Sequence, residues 1–207
     1  MSLFGTLLLA PNAYSAAIVG KTDAQNSVPP ATAAAPASQS GLQVQCLPAG
    51  GAFLRARLKG SINTELSWTD RNLNCAGSVR PDEHGLRLRF SSAGEAGAPN
   101  LVLLFGITGL KEGETGKALP ANLTIIREGA GEFYATQGDN KCTIDEITQE
   151  PINGIPMRQR AYRITARGFC TQPARELNGE GSILVTRFDF AGRADFVSDD
   201  QTDATLL

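Results

Sequence analysis

Short runs in which large apolar and polar residues alternate with a period of two, broken by Gly, Pro, Asn and Asp, recur along this chain, and that pattern suits antiparallel strands joined by turns. Leu54, Ala56 and Leu58 fall on one side of an extended chain, with Arg55, Arg57 and Lys59 on the other. After the turn residues Gly60 and Ser61, Ile62, Leu66 and Trp68 alternate with Asn63, Glu65 and Ser67, which makes the two runs a hairpin. Leu86, Leu88 and Phe90 alternate with Arg87 and Arg89 in the same way. Leu101 to Ile107 is apolar throughout and reads as a central strand covered on both faces.

The glycine-rich stretch Gly106 to Gly116 reads as a connection, followed by strands near Asn122 to Arg127, Glu132 to Thr136 and Cys142 to Thr148. Tyr162, Ile164 and Ala166 mark another strand ending at Cys170, and the last two are Ser182 to Phe190 and, after a turn at Ala191–Gly192, Arg193 to Val197. One segment reads as a single helical turn, Pro173 to Leu177, with Pro at its start and Asn178-Gly179 at its end. About ten strands and at most one short helix predict an all-β domain, an antiparallel β-sandwich or a barrel-like closure.

The four cysteines, Cys46, Cys75, Cys142 and Cys170, form no C-x-x-C pair, and the single histidine leaves no Cys/His set for zinc. An even number of widely spaced cysteines reads as two disulfides in an oxidising compartment. Three pairings are open; Cys46 with Cys75 and Cys142 with Cys170 are favoured, because each closes a short loop holding one or two strand-like runs. Each bridge is then expected to contribute roughly 3 to 4 kcal/mol.

Leu3 to Ala10 is a short apolar run followed by Pro11 and the small residues Ala13, Ser15, Ala16 and Ala17. Residues 1–20 therefore resemble a truncated or degenerate signal peptide without its basic start, and the run is too short to span a membrane. Residues 21–40 are rich in Ala, Pro and Ser and read as a disordered linker, leaving 41–207 as a single β-rich domain. These features predict a periplasmic or secreted protein.

Nineteen Lys and Arg against twenty-one Asp and Glu give a formal net charge of −2, so no global field draws the chain to phosphate backbones, and nucleic acid is disfavoured as a partner. The only imidazole, His84, sits beside Asp82 and Glu83, but between Pro81 and Gly85 this composition is that of an exposed turn. No Gly-x-Ser-x-Gly elbow is present, and Lys111 to Lys117 lacks both the leading glycine and the hydroxyl of a phosphate loop. Asn122-Leu123-Thr124 is a glycosylation sequon within a predicted strand. Asp139 with Asn140, and Asp195, Asp199, Asp200 and Asp203, offer oxygen ligands, yet neither group has the spacing of a calcium loop. No metal site, cofactor or catalytic residue is assigned.

The most suggestive feature is an arginine stripe. If the strand carrying Arg55 and Arg57 lies beside the strand carrying Arg87 and Arg89, four guanidinium groups share one sheet face, with Arg71 and Arg80 near its rim. Such a face would grip an acidic protein or a cell-envelope glycan. The expectation is thus an exported, non-enzymatic envelope module that binds or builds through a sheet face or loop. An alternative is an inhibitor or immunity protein acting on an envelope-targeting enzyme through a rigid loop, Gly109 to Leu119 or Pro151 to Pro156; another is a secreted hydrolase using loop carboxylates.

Overall fold

The alternating runs become strands because each gives a sheet one apolar and one polar face. The computed structural model describes residues 46–92, 100–154 and 159–197. The chain divides into two units, Met1–Gly41 and Leu42–Leu207, and all described residues belong to the second. The signal-peptide-like segment, the linker, Asp199, Asp200, Asp203 and part of Pro151 to Pro156 lie outside the described residues.

Eleven strands follow one another in the described chain: β1 (Phe53–Gly60), β2 (Thr64–Thr69), β3 (Leu73–Val79), β4 (Gly85–Ser92), β5 (Leu101–Thr108), β6 (Gly116–Arg127), β7 (Glu132–Ala135), β8 (Cys142–Pro151), β9 (Gln159–Cys170), β10 (Ala174–Glu176) and β11 (Ser182–Val197). All belong to one antiparallel sheet, and the described residues contain no helix. The expected all-β class and both favoured disulfides, Cys46–Cys75 and Cys142–Cys170, are present.

The sheet is a meander in which two courses are each broken into two strands. On one edge of β6, β8 pairs with Gly116–Ala121 and β7 with Thr124–Arg127. On the next course β9 pairs with β8 and β10 with β7, so the register runs from Tyr134 opposite Glu176 and Ala135 opposite Arg175 to Cys142 opposite Cys170. Strand β11 then flanks both β9 and β10, and its other edge takes β1, with β2 beyond. Only the β11–β1 contact joins strands remote in sequence by a pairing that skips most of the chain.

The far wing, β5–β4–β3, curls back over β11. A Cβ on Gly77 of β3 would lie 2.5 Å from the Arg193 carbonyl oxygen and 3.0 Å from Ala194 Cα, so the two backbones touch. Gly192 leaves similar room: a Cβ there would come 2.8 Å from the Phe90 ring. That contact corrects one expectation, since Ala191–Gly192 is not a turn; β11 runs unbroken through it, and the glycine makes space for a core ring. We expect Gly77→Ala to cost about 1 to 3 kcal/mol by overpacking. Urea unfolding that showed no loss would mean that the closure of β3 on β11 is looser than described.

Between the curled layers lie Phe90, Phe105, Phe188 and Phe190, all fully buried. Phe105 stands 4.7 Å from Phe188 and 5.1 Å from Phe190 between ring centroids, and Phe90 stands 4.8 Å from Phe190. Leu54, Ala56 and Leu58 point into the same core, as their alternation predicts. The predicted helical turn at Pro173 to Leu177 is instead strand β10. Ala174 is buried, Arg175 and Glu176 pair with β7, and the Leu177 amide donates to the Phe133 carbonyl, so sheet pairing overrides the local capping pattern.

Candidate functional site

On β1 the same alternation that buries Leu54, Ala56 and Leu58 turns Arg55, Arg57 and Lys59 to solvent. Their neighbours are set by register. Arg55 lies opposite Ser67 of β2 and Asp189 of β11; Asp189 in turn faces Arg167 of β9, and Arg167 faces Glu146 of β8. The result is a row of alternating charges across the four strands β1, β11, β9 and β8, with ion pairs Arg55–Asp189 at 3.3 Å and Arg167–Glu146 at 3.0 Å. The Arg55 guanidinium also sits 4.8 Å over the Phe53 ring.

The adjoining row reads Glu65, Arg57, Arg187. Arg57 pairs with Glu65, but on its other side it directly faces a second arginine. Like charges placed directly opposite across a strand pair are unfavourable. The pairing also shifts here: Arg57 partners Arg187 while Leu58 partners Val185, which leaves Thr186 as the extra residue of a β-bulge. The Thr186 hydroxyl donates to the Arg57 carbonyl at 3.4 Å. Bulges re-aim side chains, and this one sets Arg187 toward the hollow between β1, β2 and β11. Arg55, Arg57, Glu65, Ser67, Arg187 and Asp189 line that hollow, of about 190 Å³. Among the described residues Arg187 makes no ion pair.

The four arginines singled out in the sequence are not brought together. β4 lies between β3 and β5, whereas β1 lies between β11 and β2, so the strand adjacency that would put Arg87 and Arg89 beside Arg55 and Arg57 is absent. Arg89 binds Ser91 Oγ and Glu128. Arg87 lines a second hollow with Arg80, Pro81, Leu104, Gly106 and Asn122. There Arg80, with a side chain only 12% exposed, donates to both Asp82 and Asp139, and Asn122 also donates to Asp139. Arg71 sits in the exposed turn between β2 and β3.

Sequence reasoning missed Arg187. Its signal was present in the alternation of Arg187 and Asp189 with Phe188 and Phe190, but only the pairing of β11 with β1 sets it beside Arg57.

Around His84 the chain forms the expected turn. Hydrogen bonds from the Arg80 guanidinium, and then from the His84 amide, hold the pKa of the Asp82 carboxyl at about 2, so that it is an ionised acceptor for the turn at neutral pH. Asp195 is taken up by Arg193 at 2.6 Å, and the described residues contain no cluster of three or more His, Cys, Asp or Glu set to hold a metal ion.

The loop between β5 and β6 is braced from beneath. Gln149 of β8, buried, accepts from the Gly113 amide and donates to the Lys111 and Glu114 carbonyls. Leu110 plugs into the core, and Glu112 binds Arg160 at 2.6 Å. Asn122 of the sequon lies in β6, as expected from its strand pattern.

No family model, no curated protein and no solved structure matches this chain.

Proposed function

We propose that this chain is an exported, non-enzymatic module of the cell envelope that docks an acidic protein or glycan on the outer face formed by β2, β1 and β11. The observation that carries the reading is a local reversal of charge. Arg55, Arg57, Lys59 and Arg187 gather there against Glu65 and Asp189, in a chain whose formal net charge is −2. The hydrogen-bonded strands β2, β1 and β11 fix the backbone spacing of these cations, so the ordering required on binding falls on the arginine side chains and not on the backbone. Two disulfides suit an oxidising location outside the cytosol.

Retention of the full chain on immobilised poly-glutamate and polygalacturonate tests this. Retention is expected at low salt, to weaken as salt rises, and to fall at least about tenfold in Arg55→Gln/Arg57→Gln/Arg187→Gln. Arg87→Gln/Arg89→Gln is expected to bind as the parent does. Equal retention of the triple variant would discard the face.

The second reading, an inhibitor presenting the stretch Gly109 to Leu119 to an enzyme, is favoured by one observation: its part before β6, up to Thr115, is a loop on whose holding a buried glutamine spends both ends of its amide. Gln149→Leu separates the two readings, because it frees the loop without touching the arginine face.

A further inference from the structure

We infer that the hollow between β1, β2 and β11 is a site for a phosphate group, gripped by Arg57 and Arg187. The inference rests on the outer face being the binding face, and it names the chemistry that face selects.

Directly opposed residues on antiparallel strands carry Cβ atoms about 4.5 to 5.5 Å apart, so two arginines in this relation extend side by side and can converge on one group. Each presents a planar fork of N–H donors. A carboxylate offers one edge that matches one fork, and the second guanidinium is left with its charge uncompensated. A phosphate is tetrahedral and carries up to two negative charges, so its oxygens meet both forks and its charge offsets both cations. The Ser67 hydroxyl, on the lining of the same hollow, supplies a further donor.

The bulge shows why the two arginines lie together at all. Strict alternation after the buried Val185 would turn Arg187 inward and Phe188 outward; Thr186, as the extra residue, resets the period, so that Arg187 faces outward opposite Arg57 and Phe188 stays in the core. Arg57 does have a competitor in Glu65. Both members of that pair are exposed, Arg57 by 50% and Glu65 by 69% of the side chain, and an ion pair so placed contributes only about 0 to 1 kcal/mol. A phosphate therefore displaces Glu65 at little cost, and the carboxylate acts as a weak gate on the site.

The phosphate is either free or an ester borne on a polymer or headgroup, and two arms of one experiment separate these. The full chain, labelled with ¹⁵N, is titrated with inorganic phosphate, with glycerol phosphate and with acetate at constant ionic strength. Saturable shifts are expected for Arg57, Thr186, Arg187 and Ser67, with acetate at least about tenfold weaker. Tighter binding of glycerol phosphate points to an ester, and of inorganic phosphate to the free ion; both support the site. Arg187→Gln is expected to weaken phosphate at least about tenfold, Arg187→Lys less, and Glu65→Gln to tighten it about threefold. Acetate binding as well as phosphate, shifts that never saturate, or indifference to Arg187→Gln would each overturn the inference. If poly-glutamate retention still depends on the three arginines while phosphate leaves the spectrum unchanged, only the phosphate site fails; if that dependence is absent too, the binding face fails with it.

Discussion

Phe105→Ala is expected to lower the free energy of unfolding by about 3 to 5 kcal/mol, one of the largest single-residue losses in this chain. Phe105 sits on the central strand β5, flanked by β4 and β6, and is fully buried. Its ring meets Phe188 and Phe190 across the core and Phe90 on its own wing. The size of the effect follows from how little the site can collapse. β5 is hydrogen-bonded on both edges, and so is β11 over Phe188 to Ala191, where the facing rings sit, so neither strand can move in to refill the space of the lost ring. Phe105→Leu keeps much of the volume and is expected to cost roughly 1 to 2 kcal/mol, part of it the aromatic contribution of about 0.5 to 1.5 kcal/mol per pair. A double-mutant cycle with Phe190→Leu should show coupling, because the two rings touch. Urea unfolding of disulfide-intact protein is the measurement. A loss below about 1.5 kcal/mol for Phe105→Ala would show that the four rings are not a close-packed cluster.

What could be read in the sequence was whatever depends on nearest neighbours along the chain. Leu54, Ala56 and Leu58 announce an inward face, because burial writes its period directly into residue choice; the apolar run Leu101 to Ile107 announces a strand, but only Leu103, Phe105 and Ile107 are buried in the core, while Leu104 and Gly106 on its other face line the hollow beside Arg87. Strand β3 gave no such signal. In Leu73–Val79 the only large residue that is buried is Leu73, and the strand packs through Gly77 and Cys75, which replace side-chain volume by close backbone approach and a disulfide. β10 was hidden for another reason: three residues whose strand state depends on β7 carry no pattern of their own, and the flanking Pro and Asn-Gly mimic helix ends. Gly192 was ambiguous in kind, since glycine marks a turn as readily as it marks a place where a ring presses on the backbone. The arginine face shows the sharpest limit. Arg55 and Arg57 could be placed on an outward face from alternation alone, but their neighbours depend on sheet order. β1 joins β11, the last strand of the described chain, so the partner is Arg187 and not Arg87 or Arg89.

Removing the second disulfide, in Cys142→Ala/Cys170→Ala, is expected to cost about 3 to 4 kcal/mol, the loop-closure entropy for residues separated by 28 positions. The two cysteines are register partners on β8 and β9, at the point where the paired courses break off before resuming as β7 and β10. Residues 136–141 and 171–173 leave the ladder there, and the Thr171 and Gln172 amides both turn to the Lys141 carbonyl. The crosslink thus fastens the last rung before a gap. Its loss should act in two ways: globally, by releasing the unfolded chain, and locally, by letting the short β7–β10 segment open on its own. The first predicts a larger denaturant m-value in the variant, because the unfolded state exposes more surface once the loop is free. The second predicts that hydrogen exchange accelerates at Ala135 and Arg175 more than along β1, which pairs with the opposite edge of β11, and β2, which pairs with β1. Cys46→Ala/Cys75→Ala opens a loop of nearly the same length, a separation of 29, so its entropic cost is similar. There the exchange should accelerate on β3 instead, where Cys75 lies. Equal acceleration everywhere in both variants, or a cost below about 1 kcal/mol, would show that the bridges add nothing to a sheet already closed by its hydrogen bonds.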